Sequence, residues 1–264
     1  MTNRLYLALC VLLLILPTHS FADTAQTTGE LTLSYSDGKP ATTGVENVNA
    51  VLREVGVRVS RVALPEAALP ILQASQSRAI NAEEASRLLS AFSLHRGQLL
   101  EEIEKAGRRP EVHRGGFLTT SESGVPPYPK VYDMKALSPE VKAQLQVKFG
   151  KLHVNSADNG VGIDEVMTIV SGGPWTWFFA LPGDVVGKLI LGHVGLDGPA
   201  WRISYPGLGP HGGYLDAEYG LVVAYAHGPE NFVMRYVEPS VHSAEILGTN
   251  PWIDFSGVAP TLLE

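Results

Sequence analysis

Apolar and polar residues repeat along this chain with two different periods, and the dominant period changes near the middle. Leu31-Thr-Leu-Ser-Tyr35 alternates at period two and predicts a short strand, followed by a turn at Ser36-Asp-Gly-Lys-Pro40. Val48, Val51 and Leu52 share helical spacing within Val45–Glu54, which stops at Gly56. Val57–Ala63 alternates β-branched and polar residues, as a half-buried strand does. The strongest helical pattern starts at Asn81, with Glu84 placed to complete a capping box. It continues through Leu88, Leu89, Phe92, Leu99, Leu100 and Ile103 to Gly107, with a predicted break near Ser93–Gly97. Ser138-Pro139-Glu140 opens another helix, which closes at Gly150.

Beyond Lys151 the period is two almost throughout. Strands are predicted over Lys151–Asn155, Glu165–Val170, Trp175–Leu181, Val185–His193, Trp201–Tyr205, Leu221–His227 and Phe232–Val237, separated by Gly, Pro, Asp and Asn. Short strands at such intervals indicate antiparallel pairing rather than βαβ units. The expected fold is therefore α+β, with a helix-rich part at residues 23–125 packed on an antiparallel β-barrel or sandwich at residues 126–264. The boundary falls in the proline-rich Ser121–Pro129 segment.

Composition adds an address. Arg4, the apolar run Leu5–Leu16 and the small residues Ser20 and Ala22 have the three parts of a secretory signal peptide, residues 1–22. A span across the bilayer needs about 20 apolar residues, more than this run offers. A periplasmic or secreted protein, not inserted in the membrane after cleavage, is expected. Cleavage removes Cys10, the sole cysteine, and Arg4 as the only charged residue, taking the net charge from −7 to −8. The mature chain then has no disulfide and no thiolate metal site. With 45% hydrophobic and 18% charged residues it is not disordered, and its acidic balance excludes a basic nucleic-acid footprint.

No nucleophile elbow, zinc-protease helix, phosphate loop, EF-hand or dinucleotide fingerprint occurs. What remains is a set of histidines in the strand-rich half: His153, His193, His211, His227 and His242. Imidazoles from different strands, joined by a carboxylate, suit a divalent transition metal. Leu152-His153-Val-Asn155, followed by Asp164-Glu165 and a strand ending at Gly172, resembles the first motif of the cupin family. Pro206-Gly-Leu-Gly-Pro-His211 resembles the second. The resemblance covers about 75 residues, from His153 to His227. It implies a cupin-like barrel in which His153, Glu165 and His211 hold a metal ion, with Asn155 where the family has a second histidine. The nine residues between Asn155 and Glu165, and the spacing from Pro206 to His211, depart from the family pattern.

Read residue by residue, His153 either faces a site or is a solvated strand residue, and His211 sits in a turn-rich loop. His227 and Tyr225 close one strand and are candidate acid–base groups. His193 and His242 read as surface positions. Trp175, Trp177 and Phe179 share one strand face, either as core or as the wall of a ligand pocket. Tyr205, Tyr214, Tyr219 and Tyr225 are candidate polar tips for that pocket. Arg202 and Arg235, each inside a strand, are candidate partners for a buried carboxylate or an organic acid. Arg108, Arg109 and Arg114 follow a helix and are expected to solvate its end.

Three readings result. One is a protein that binds, and in its enzymatic form transforms, a small molecule with metal assistance. Another is a non-catalytic periplasmic ligand-binding or accessory protein. The third is an envelope protein that binds a protein partner.

Overall fold

The computed structural model describes residues 31–108, 128–228 and 231–264. The leader, Arg109, Arg114 and most of Ser121–Pro129 lie outside them. In chain order the elements are β1 (Leu31–Tyr35), β2 (Thr42–Thr43), α1 (Val45–Leu52), β3 (Arg58–Val62), α2 (Leu69–Ser75), α3 (Ala82–Ala91), α4 (Arg96–Lys105), β4 (Lys130–Asp133) and α5 (Pro139–Gly150). The second half supplies β5 (Val154–Ser156), β6 (Asp164–Gly172), β7 (Trp175–Leu181), β8 (Val185–Leu191), β9 (Ala200–Tyr205), β10 (His211–Tyr214), β11 (Gly220–His227), β12 (Val233–Arg235), β13 (Ile253–Asp254) and β14 (Thr261–Leu262).

Two five-stranded antiparallel sheets form a sandwich, ordered β10-β7-β8-β1-β2 and β3-β9-β6-β11-β4. β1 pairs with β8 and β3 with β9, so the sheets draw strands from both sides of residue 125. The inner faces meet in one core that includes Leu33, Val59, Ile169, Trp175, Leu189, Trp201 and Ile203. The shared face of Trp175, Trp177 and Phe179 is this inner one.

Helices α2 and α3 cover the outer face of the second sheet, where Leu72, Leu88 and Phe92 pack on Val170, Leu221, Val223 and Tyr225, whereas Val48 and Leu52 of α1 join the inter-sheet core. The C-terminal residues Ile253 and Trp252 cover the outer face of the first sheet against Phe178 and Tyr214. The expected helix break appears between α3 and α4, and the Asn81–Glu84 capping box forms in both directions. All seven strands expected beyond Lys151 form. β4 and β10 carry no extended alternating pattern and were not expected; each is a short strand held by a longer neighbour, β11 and β7 respectively. No helix among the described residues is long and apolar enough to cross a membrane.

Candidate functional site

The turn after β9 brings the two motif segments together. The Asn155 amide donates to the Gly207 carbonyl at 2.7 Å, and the Gly207 amide donates to Asp164 Oδ1 at 3.0 Å. His153 and His211 exchange backbone hydrogen bonds at 2.9 Å in each direction. Their rings meet edge to face with centroids 4.6 Å apart. On β6 the side chains of Asp164 and Glu165 leave opposite faces of the sheet. Glu165 enters the sandwich, and its Oε2 lies 3.1 Å from His211 Nε2.

Asn155 Nδ2 stands 2.7 Å from Glu165 Oε2 and 3.0 Å from His211 Nε2, so its two hydrogens serve one group each. Tyr128 donates its hydroxyl to Glu165 Oε1 at 3.0 Å and lies 3.2 Å from the Tyr132 hydroxyl. The four residues His153, Asn155, Glu165 and His211 line one cavity of about 70 Å³. The three predicted ligands, which come from distant stretches of sequence, are thus neighbours.

Tautomers follow from the acceptors. A backbone carbonyl only accepts, so His153 Nδ1 donates to Lys151 O at 2.8 Å and His211 Nδ1 donates to Gly209 O at 2.8 Å. In a neutral ring the lone pair is then on Nε2, the arrangement that metal-bound imidazoles use. Burial, reinforced by the neighbouring His211, pushes the His153 imidazole well below its usual range and keeps it neutral. Burial, reinforced by the Glu165 carboxylate, pushes the phenols of Tyr128 and Tyr205 well up, so both remain uncharged donors.

The donor chemistry suits a hard or borderline divalent ion: two imidazoles, a carboxylate and an amide oxygen. Asn155 Oδ1 is buried and has no hydrogen-bond partner, and a half-turn of the amide, exchanging it with Nδ2, would present an oxygen donor to Glu165 and His211. The spacing is looser than a closed cage, because among the described residues no three His, Cys, Asp or Glu side chains surround one ion-sized point. The Asn155 amide hydrogens fill the gap between Glu165 and His211.

Other candidates fall elsewhere. Trp177 lines the cavity, whereas Trp175 lies deeper in the core and donates its indole N–H to Ser171 O at 3.3 Å. His227 and Tyr225 point to the outer face of their sheet, among the helices, where the Tyr225 hydroxyl donates to Leu89 O at 2.8 Å. Alternation along β11 puts Ala224 and Ala226, not these two, on the inner side. Arg202 donates to Thr168 Oγ1 and Arg235 to Ser156 Oγ, and neither lines the cavity.

The buried carboxylate that finds an arginine is Asp164. Its partner is Arg108, expected to cap a helix, which crosses the outer face to pair with it and donates to Ser204 Oγ at 2.7 Å. Tyr128 and Tyr132 were missed because the first precedes, and the second lies within, a four-residue strand beside a proline-rich stretch. Their only trace in the sequence is two tyrosines four residues apart.

No protein-family model matches the sequence, and no curated protein matches it. A search of solved structures finds an acireductone dioxygenase from Bacillus anthracis, described with a cadmium ion in its active centre. It is 16% identical, has a TM-score of 0.51, and the match covers 79% of this chain and 98% of that one. The likeness is one of fold, and it supports a cupin-like fold for this chain.

Proposed function

We propose that the cavity binds a small molecule with the help of a divalent metal ion held by His153, Glu165 and His211, with Asn155 as an additional oxygen donor. The observation that carries this reading is the approach of Glu165 Oε2 to His211 Nε2 at 3.1 Å. With His211 Nδ1 donating to Gly209, Nε2 carries the lone pair in the neutral ring and faces the buried Glu165 carboxyl group. Two such groups repel unless a cation or a proton lies with them, and no Lys or Arg among the described residues lines the cavity. A divalent ion supplies that charge and acts as a Lewis acid toward a ligand oxygen. Tyr128 then holds the second carboxylate oxygen, Glu165 Oε1, and keeps Oε2 turned inward.

Metal analysis of the purified protein tests the reading. About one transition-metal ion per chain is expected, retained through gel filtration, and Glu165→Gln or His211→Ala should lower the affinity about 10–100-fold or more. A wild-type protein that takes up no metal after reconstitution overturns the proposal. A second reading, a metal-free ligand-binding protein, draws on the Asn155 amide that already bridges Glu165 and His211. It predicts ligand binding indifferent to chelators.

The Leu5–Leu16 run and Ala22 support export. Expressed with its leader in a bacterial host, the chain should be recovered from the periplasm or medium with Asp23 as its first residue. Retention of Met1 in the cytoplasm overturns this.

A further inference from the structure

The lining of the cavity divides by exposure into a base and a mouth. His153, Asn155, Glu165 and His211 are buried at the base, whereas Tyr132, Phe149 and Leu215 are half-buried and mark where it opens to solvent. The Tyr132 and Phe149 rings meet edge to face there, with centroids 6.3 Å apart. Each carries an ammonium group. Lys130 Nζ stands 4.8 Å from the centre of the Tyr132 ring and Lys148 Nζ 5.7 Å from that of Phe149, within reach of a cation–π attraction.

Neither ammonium is neutralised. Lys135 stands 3.6 Å from the Glu218 carboxylate, and Lys142 donates to the Ala217 carbonyl at 3.2 Å. Lys130 and Lys148, by contrast, have no acidic partner among the described residues. In a chain of net charge −7 the mouth is a local positive site, above a base whose charged group is Glu165. The Lys148 charge reaches the base, where it adds to burial and the His211 ring in keeping His153 neutral. Charges in this arrangement draw an anion to the opening and turn its charged end outward.

Volume sets the size of the guest. About 70 Å³ is roughly half of the ~150 Å³ that holds a benzene-sized molecule, so about three non-hydrogen atoms fit inside. We propose that the cavity takes a short aliphatic carboxylate of about two to four carbons, its chain inside and its carboxylate at the mouth between Lys130 and Lys148. The proposal rests on reading the cavity as the ligand site and requires no metal ion.

Butanoate and butanamide have the same shape and differ by one charge. Ligand-observed NMR titration at low ionic strength, on the metal-reconstituted and the chelator-treated protein, should show millimolar binding of butanoate, about 10-fold tighter than butanamide in both forms. Lys130→Gln and Lys148→Gln should each cut that advantage about 3-fold, the double variant should remove it, and ~0.3 M salt should shrink it. Both lysines are exposed, so these variants should fold as the wild type does. Benzoate, a larger anion of the same charge, should bind about 10-fold more weakly than butanoate.

Equal binding of butanoate and butanamide overturns the proposal, as does a preference that survives in the double variant. A preference confined to the metal-reconstituted form assigns the carboxylate to the metal and also overturns it. Benzoate binding as tight as that of butanoate places the anion outside the cavity, with the same consequence. Failure of both butanoate and butanamide to bind overturns the cavity as ligand site, whereas a failure of metal uptake with the lysine-dependent preference intact overturns only the metal reading.

Discussion

At Gly207 one missing methyl group decides whether the site assembles. A Cβ there would fall 2.2 Å from the carbonyl oxygen of Ile163, 2.3 Å from its nitrogen and 2.5 Å from the carbonyl oxygen of Asn155. All three are backbone atoms, and the Ile163 amide already donates to Asn155 O at 2.9 Å, so none can step aside cheaply. Gly207→Ala is expected to destabilise the protein by about 3 kcal/mol, the upper part of the overpacking range, measured by urea unfolding. Because the clash falls on the segments that carry Asn155 and Glu165, ligand and metal uptake should fall in the fraction that remains folded. Asn155 itself shows how far a residue pattern can be read. Its place in a His-x-Asn motif was visible, but its orphaned Oδ1 and its double donation from Nδ2 belong to the folded structure.

Among the elements, α4 is tied to the second sheet by buried charges as well as by apolar contact. Arg58 on β3 pairs with Glu102 on α4 at 2.6 Å, with both side chains mostly buried. Arg108, just beyond the helix, pairs with Asp164 at the start of β6. Removing one member of a buried pair strands the other, so Arg108→Met should cost about 3 kcal/mol in chemical denaturation. Because Asp164 also accepts from the Gly207 amide, the effect should extend to the turn that positions His211.

Elements with a long, regular pattern were readable from the sequence: α3 and α4 with their break, α5 with its Ser138 cap, and β6, β7 and β11. β10 was not, because His-Gly-Gly-Tyr has the composition of a turn and is extended only through its pairing with β7. The same limit hid Arg108. Its place after a helix suggested solvation of the helix end, and only packing of α4 on the sheet brought Asp164 within reach.

For the whole molecule, His227 makes stability depend on pH. Burial lowers its pKa to about 4, against an ordinary value of 6.5, with Asp164 opposing the shift. The unfolded chain therefore binds a proton below about pH 6.5 that the folded chain refuses until about pH 4, and stability falls as pH drops through that window. At pH 5 the loss from this group is about 2 kcal/mol. Asp216, raised by burial to about 6, acts in the opposite direction, because its folded carboxyl binds a proton before the unfolded one does. Comparing wild type with His227→Phe between pH 7 and pH 4.5 isolates the histidine. The variant should lack about 2 kcal/mol of the acid-induced loss, and parallel curves would contradict the assignment.

The sequence by itself determined the helices α1, α3, α4 and α5 and the long strands, the antiparallel class of the second half, and His153, Glu165 and His211 as candidates for one site; α2 was not among the expected helices. These follow from local periodicity, from capping residues and from a motif resemblance, each carried within a short window. Tertiary structure decided what depends on residues far apart in the chain. It placed β1 and β3 in the sheets and turned His227 and Tyr225 to the helical face. It also gave Asp164 an arginine from α4, and set Tyr128 on Glu165 across 37 positions of sequence. The reason is physical. Period-two alternation specifies that neighbouring side chains lie on opposite faces, but which face is inside is fixed only when two sheets close on one another.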